Sequence, residues 1–321
     1  MLPGALSAAV AAAVEDAPSI VVKGIEKVPG RFLLVDGDYL AYYCAGGDHT
    51  TVGDARMRLM QRLDDMKTMA GAEHIALHLT ATGSHKGWRY VIAQQRPYQA
   101  QREGSARPKN WAALRDFLES YKGLAFRQKI WGSREADDGI ALHANMLPYG
   151  LAVIAMKDKD SQMITGALHL DWDTYELTEV PAGTYETENS TGRLFGHKWF
   201  WLQMLMGDSA DHIPGVPQIL SHTGRMVQCG NARARDALVM SVGNEDAFMT
   251  VSSAYHRYYE AKWPDVFAEQ AALLWMRNDK DAKVDGFLQV IPDNERGNAV
   301  RAAAERLVAR VQEAVDAAPN F

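Results

Sequence analysis

Four short segments of this chain carry carboxylates at spacings that suit a hard divalent cation. The densest is Leu205 to Pro217, LMGDSADHIPGVP, in which Asp208 and Asp211 stand three residues apart. The run that follows, Ile213-Pro214-Gly215-Val216-Pro217, cannot be ordinary helix, because proline lacks a donor and glycine supplies a tight turn. It predicts a hairpin between helices, an element that presents backbone N–H groups to a phosphate. Taken alone, Gly-Asp-Ser-Ala-Asp reads equally well as a solvated turn. The other segments are Asp36-Gly37-Asp38, Glu135-Ala136-Asp137-Asp138 and Lys157-Asp158-Lys159-Asp160. Glu135 and Asp138, at i and i+3, share a helix face, although acids in a first helical turn also suit the helix dipole without any ligand. Asp158 and Asp160 share one side if the chain there is extended. Brought together, Asp36, Glu135, Asp137, Asp138, Asp158, Asp160, Asp208 and Asp211 would repel one another at neutral pH unless cations sat among them. Mg²⁺ or Mn²⁺ meets that need: Mg²⁺ takes oxygen ligands at about 2.1 Å, and two ions about 4 Å apart stabilise both the attacking and the leaving oxygen of a phosphodiester. The chemistry expected is metal-assisted phosphodiester hydrolysis.

The elements that must deliver these acids are strands. Phe32-Leu33-Leu34-Val35 is a continuous apolar run closed by Asp36, as expected for a strand buried on both faces of a parallel sheet. In open α/β sheets ligands sit at that C-terminal edge. His74 to Leu79 reads as a second strand and Leu151 to Met156 as a third, ending in the Asp158/Asp160 pair; Leu168 to Leu170 and Tyr175 to Val180 read as shorter ones. Met57, Met60, Leu63, Met66 and Met69 recur at helical spacing and predict a core stripe. His74 and His78 alternate with apolar residues but lack the third and fourth ligands that zinc requires. No Walker A loop and no Gly-rich dinucleotide turn follows any strand, which removes support for nucleotide hydrolysis and for Rossmann redox chemistry; no organic cofactor is implied. From Trp199 onward the pattern is mostly helical. Gly230 precedes a small-residue helix start carrying Arg233 and Arg235, a phosphate-binding N-terminus, and Asn298 to Ala317 reads as an amphipathic helix with Val300, Ala303, Leu307 and Val311 on one face. The expected architecture is α/β, a central, mostly parallel sheet flanked by helices. It divides into an extension over 1–30, a core over 31–198 and a helical region over 199–321.

The chain has 321 residues and a net charge of −6, but His85 to Arg134 holds eleven Lys and Arg against three acids. Trp88, Tyr90, Tyr98, Trp111 and Tyr121 are interleaved among these cations. Such aromatics can stack on unpaired bases while Arg96 and its neighbours track the backbone, although a charge run is as often a solvated face. Glycines and prolines break the block, which predicts a mobile excursion over about 83–125. Only Cys44 and Cys229 are present, so a reducing cytosol is the expected setting. The Ala-rich segment from Ala5 to Val14 lacks a basic start and predicts a short surface helix; no run approaches the roughly 20 apolar residues of a membrane span.

In order, VDGD, EADD, KDKD and GDSADHIPGVP resemble the flap endonuclease family, particularly phage-type and bacterial 5′→3′ exonucleases, over residues 31 to about 240. The resemblance implies a PIN-like 5′ nuclease core, with Asp36, Glu135, Asp137 and Asp138 mainly at a first metal and Asp158, Asp160, Asp208 and Asp211 mainly at a second. It also implies a helix-hairpin-helix that grips duplex backbone, often with K⁺, and a basic arch over the 5′ single strand. Trp88-Arg89 and Tyr98-Gln99-Ala100-Gln101-Arg102 resemble the arch pattern, so Lys86, Arg89 and Arg102 would hold the scissile phosphate. The implied partners are DNA with 5′ ends or flaps and RNA in RNA–DNA hybrids, in a bacterial or phage-infected cytoplasm. Three departures stand out. Ala81 follows the second strand where the family has Asp, Gln99 stands where it has an arch Lys, and His212 replaces its Asn, with Gln218 to Cys229 inserted before the second hairpin helix. Ala81 and Gln99 favour an alternative, a structure-specific DNA-binding protein that has lost cleavage; a related small-domain RNase is a third reading.

Overall fold

An apolar run without alternation needs cover on both faces, and Phe32–Asp36 (β1) has it. In the computed structural model, which describes residues 25–100, 106–221 and 223–318, β1 lies inside a six-stranded sheet. Its companions are β2 (His74–Thr80), β3 (Arg127–Trp131), β4 (Ala152–Ala155), β5 (Ala167–Leu170) and β6 (Leu177–Val180), in the order β3-β2-β1-β4-β5-β6. All neighbours run parallel except β6, which is antiparallel to β5. Arg102 and the Ala5–Val14 segment lie outside the described residues, as does most of the expected extension over 1–30.

The pleat sends alternate β1 side chains to opposite cores. Leu33 and Val35 join Leu77, Leu79, Val153 and Ala155 under helices α1 (Gly37–Cys44), α2 (Val52–Met69) and α4 (Trp111–Ser120). Leu34 and Ile154 face the other way, toward α5 (Ala136–Met146). That second core continues without a break into the helical region, taking in α6 (His197–Met206), α8 (Asn244–Tyr259), α9 (Trp263–Leu274) and α10 (Glu295–Ala317). Trp199, Phe200, Phe248, Phe267 and Leu307 thus belong to the same packed cluster as Leu34. Val300, Ala303, Leu307 and Val311 form the buried face expected of the last helix. No helix among the described residues is long and apolar enough to cross a membrane.

Three local expectations change. The buried face of α2 is Ala55, Leu59, Leu63 and Met66, with Met60 and Met69 packed partly buried beside it, and Met57 is 66% exposed; the leucines and Ala55 lie at i+4 steps, so the i+3 series leaves that face at its first member. Asp158 and Asp160 do not continue a strand: β4 ends at Ala155, and Asp158 starts a 3₁₀ turn by accepting the Asp160 N–H at 3.0 Å. The basic block ends in a strand, β3, whose exposed, polar alternation suits a sheet edge. Between the Pro/Gly run and α7 (Asn231–Ala237), β9 (Gln218–Leu220) and β10 (Met226–Gln228) form an antiparallel hairpin in the inserted segment. Two short strands, β7 (Thr187–Glu188) and β8 (Leu194–Phe195), and the single turn α3 (Arg89–Ile92) complete the named elements.

His78 is fully buried, and Trp131 Nε1 donates to its Nδ1 at 2.9 Å. The remaining proton therefore sits on Nε2, directed at His143 Nδ1 at 3.2 Å. Burial, aided by His143, holds His78 well below the ordinary imidazole range, so it serves as a neutral hydrogen-bonding core residue.

Candidate metal centre

The strand order reverses between β1 and β4, and side chains at their C-terminal ends face a shared crevice. Asp36 ends β1 and caps α1, its Oδ1 accepting the N–H groups of Asp38 at 2.9 Å and Tyr39 at 3.1 Å. Burial pushes its carboxyl up to about 6; the Tyr39 N–H opposes this and the Asp158 charge adds to it. Glu135 precedes α5, and Asp137 and Asp138 occupy its first turn. Burial raises Asp137 well above the carboxylate range, reinforced by Asp138 and Glu135.

Asp208 and Asp211 are set by a tight loop after α6. Asp208 and Ile213 exchange two backbone hydrogen bonds, 2.8 and 2.7 Å. A Cβ on Gly215 would fall 2.2 Å from the Gly207 nitrogen, so this glycine permits a backbone-to-backbone approach. Its carbonyl accepts the Tyr259 hydroxyl at 2.6 Å. Asp160, Asp208 and Asp211 each offer a carboxylate oxygen within 4.8 Å of the others. Gln203 Nε2 donates to Asp160 at 2.5 Å, and Lys159 Nζ to Asp208 Oδ1 at 2.6 Å. Burial, then Asp158 and Asp208, raise Asp160 well above its ordinary value. Burial also raises Asp158, with the charges of Asp211 and Asp208 contributing against the Asp160 N–H.

These segments meet around a cavity of about 120 Å³ lined by Asp36, Asp38, Glu135, Asp137, Asp158 and Asp211, with Thr80, Tyr98 and Gln99. Five of the eight acids singled out in the sequence thus line one space, and Asp160 and Asp208 flank it through Asp211. Asp138 is placed apart. It is fully buried behind the cavity, held by a bidentate contact from Arg89, 2.6 and 2.9 Å, and by the Arg277 N–H at 2.9 Å. Burial alone would raise its carboxyl, but Arg89 holds it below the ordinary range. Crowded oxygen donors, among them Asp36, Asp137, Asp158 and Asp160 with carboxyls raised by burial, suit hard divalent ions, which favour the deprotonated ligand.

The cations expected to meet a phosphate occupy different positions. Lys86 is partly exposed and lies 3.5 Å from Glu135. Arg89 is 3% exposed, and its guanidinium spans Asp138 and Glu135, so it faces the acids and not the solvent. Tyr98 is also buried, its hydroxyl 2.9 Å from Glu135 and 3.1 Å from Asp211, which leaves no open ring face for a base. Arg96, Gly230, Arg233 and Arg235 are exposed, the last two on α7. Ala81 brings no carboxylate; its N–H pairs with the Trp131 carbonyl at 2.9 Å. Beside it a groove of about 500 Å³ is lined by both charges, Lys86, Arg107 and Arg115 against Asp38, Asp116, Glu119 and Glu135, with the Arg107 guanidinium 3.9 Å over the Trp111 ring.

Several residues outside the predicted set take part. Asp38, visible in VDGD, lines the cavity, accepts the Thr80 N–H at 3.1 Å and pairs with Arg115. Lys159 was visible in KDKD as a spacer only. Arg277 and Gln203 carry no local signal.

The raised carboxyls give a pH dependence whose sign is fixed. Asp36, shifted up to about 6, contributes stability that is full below the ordinary carboxyl value and is lost as pH rises through about 6. A divalent ion bound there would reverse that loss by taking up the ionised form. The rise in Tm on adding saturating Mg²⁺ is therefore expected to be larger at pH 7.5 than at pH 5.5. Ligand at about 100 times its dissociation constant stabilises by about 2.7 kcal/mol. Differential scanning calorimetry at the two pH values checks this, and equal increments would contradict it.

No protein-family model matches the chain, and no curated protein matches it significantly. Among solved structures it is similar to the T5 D15 protein co-crystallised with metal ions, with a TM-score of 0.51 and 13% identity over 88% of this chain and 98% of that one. It is similar also to the bacteriophage T5 D15 flap endonuclease in a pseudo-enzyme–product complex with DNA and metal ions, TM-score 0.50, 13% identity, over 88% and 99% of the two chains. The T5 5′-exonuclease with bound zinc gives a TM-score of 0.52 and 14% identity over 88% and 98%. At these identities the likeness is one of fold: a mostly parallel sheet flanked by helices, with further helices at the C-terminal end.

Proposed function

We propose that this chain is a metal-dependent 5′ nuclease that hydrolyses phosphodiesters at 5′ ends or flaps of DNA, and of RNA in RNA–DNA hybrids. The observation that carries this reading is the meeting of acids from four separate segments around one cavity at the reversal point of the sheet. A fold shared with the T5 5′-exonuclease and flap endonuclease supports it. Asp36, Glu135 and Asp137 would hold one Mg²⁺ or Mn²⁺, with Asp138 behind them on Arg89, and Asp158, Asp160, Asp208 and Asp211 a second. Two such ions would supply positive charge to both the attacking and the leaving oxygen of an in-line displacement.

The chain's own residues do the rest. Lys86 offers an ammonium at the cavity edge toward the phosphate and its developing charge. Arg89 keeps Asp138 and Glu135 in place. In the groove beside the cavity, where Lys86 and Arg115 are paired with acids, Arg107 stacked on Trp111 would offer a cation to a single strand. The 199–321 region, with the exposed Gly230, Arg233 and Arg235, would grip duplex backbone, with K⁺ at the hairpin; Gly215, expected to meet DNA, is buried against Gly207 and instead shapes the loop.

One observation favours the alternative of DNA binding without cleavage: Ala81 brings no acid where the family has a ligand, and the nearby Asp38 is already paired with Arg115. The two readings separate on circular duplexes. The nuclease is expected to leave a covalently closed circle intact and to cut the same circle once it carries a 5′ flap. Equal cutting of both would overturn 5′-end specificity, and binding without cutting of either would favour the alternative.

A further inference from the structure

The turn Pro97-Tyr98-Gln99 lies between the two groups of acids. Its backbone is docked on the Asp208–Ile213 loop, with the Gln99 N–H donating to the Asp211 carbonyl at 3.2 Å and His212 Nδ1 donating to the Pro97 carbonyl at 3.0 Å. Gln99 is 8% exposed and sits at φ +57°, a left-handed conformation uncommon for a residue with a Cβ. Lys86, which meets it, is also left-handed, at φ +49°. Such strain persists where surrounding contacts over-determine it.

Those contacts are polar and directional. Gln99 Oε1 accepts from Lys86 Nζ at 2.5 Å, while Gln99 Nε2 lies 2.9 Å from Asp211 Oδ1 and 3.5 Å from Glu135 Oε1. The amide orientation is dictated by chemistry. An ammonium has no acceptor and a carboxylate no donor, so a flipped amide would face a donor with a donor and an acceptor with an acceptor. Tyr98 adds its hydroxyl between Glu135 Oε2 and Asp211 Oδ2. A lysine at position 99 would instead set a second ammonium against Lys86.

We infer that Gln99, together with Tyr98, is a positioning residue that ties Glu135 to Asp211 across the cavity and carries the Lys86 ammonium to its edge. This rests on the proposed metal centre. An ionised carboxylate offers about four acceptor positions, so a hydrogen bond that orients it does not by itself exclude an ion. Partners that orient metal-ligating carboxylates typically change metal affinity or activity by about 10–100-fold when lost.

The test uses the full chain and Mn²⁺ alone, titrated by calorimetry without nucleic acid, for wild type, Gln99→Met and Tyr98→Phe. Methionine matches the length of glutamine without its polar atoms, and phenylalanine keeps the buried ring. Either folded variant is expected to weaken Mn²⁺ binding about 10-fold or more. On a flapped duplex, Gln99→Met is expected to lower kcat more than it changes KM, and Lys86→Met added to it to cost less than Lys86→Met alone, because the ammonium has already lost its guide. Should Gln99→Met fail to fold, Tyr98→Phe decides the matter. Wild-type Mn²⁺ affinity in the folded variants overturns the inference. Wild-type protein that binds Mn²⁺ but cuts no DNA would overturn the nuclease reading and leave the bridge standing.

Discussion

Asp208→Asn is expected to lower single-turnover cleavage of a 5′-flapped duplex by about 10³-fold, while binding of the same duplex changes only a few-fold. Asp208 is 2% exposed, accepts the Ala210 N–H at 2.8 Å and the Lys159 ammonium at 2.6 Å, and shares the three-carboxylate group with Asp160 and Asp211. Asparagine keeps the shape and the acceptor for Ala210 but removes the charge. A factor of 10³ corresponds to about 4 kcal/mol in the barrier, in keeping with the several kcal/mol of charge stabilisation that a catalytic ion supplies. Rapid-quench measurement in Mg²⁺ reads the rate and a filter-binding titration reads the affinity. A fall below about 10-fold would place Asp208 outside the reacting centre.

Arg89→Met is expected to destabilise the fold by about 3–5 kcal/mol, because removing one partner of a buried ion pair strands the other. Both groups are almost wholly buried, Arg89 at 3% and Asp138 at 0% exposure, so solvent does little to screen them. The stranded Asp138 would retain the Arg277 N–H and lose its bidentate cation. That loss is a large fraction of the 5–15 kcal/mol typical of a folded domain. Urea unfolding in chelator reads it directly. The double variant Arg89→Met, Asp138→Leu is expected to recover part of the loss, since no unpaired charge then remains in that place. Wild-type stability in Arg89→Met would mean that the guanidinium is not committed to Asp138.

The parts of this site that could be read from the sequence share a physical cause. Strands β1, β2 and β4 are apolar runs covered on both faces, so they appear as blocks, and the acids at their ends stand out. The Asp208/Asp211 loop announces itself through glycines and prolines that no helix tolerates. What could not be read is of two kinds. Some of it is local but unpatterned: β3 is an exposed edge whose polar alternation resembles a basic loop, and Asp158 turns the chain through its own side chain where a strand had been expected. The rest is distant. Arg277 reaches Asp138 from 139 residues away, and no spacing rule reports such a contact. For the same reason Arg89 read as a phosphate ligand, when its position in a basic, aromatic segment hid a buried carboxylate partner. The methionine stripe loses only its first member: Leu63 and Met66 are buried and Met60 and Met69 pack against that core, whereas Met57 lies in solvent, since i+3 steps drift from the face that Leu59 and Leu63 bury.

Whether these acids hold metal for cleavage at 5′ ends is read by incubating the purified chain with a 5′-labelled flap on duplex DNA, in Mg²⁺ or in excess chelator, and sizing the labelled products. Release of short labelled fragments in Mg²⁺, and an intact substrate in chelator, is the result expected. Labelled products of the same size and amount in chelator, or an intact substrate in both Mg²⁺ and Mn²⁺ under conditions where the duplex is bound, would contradict it.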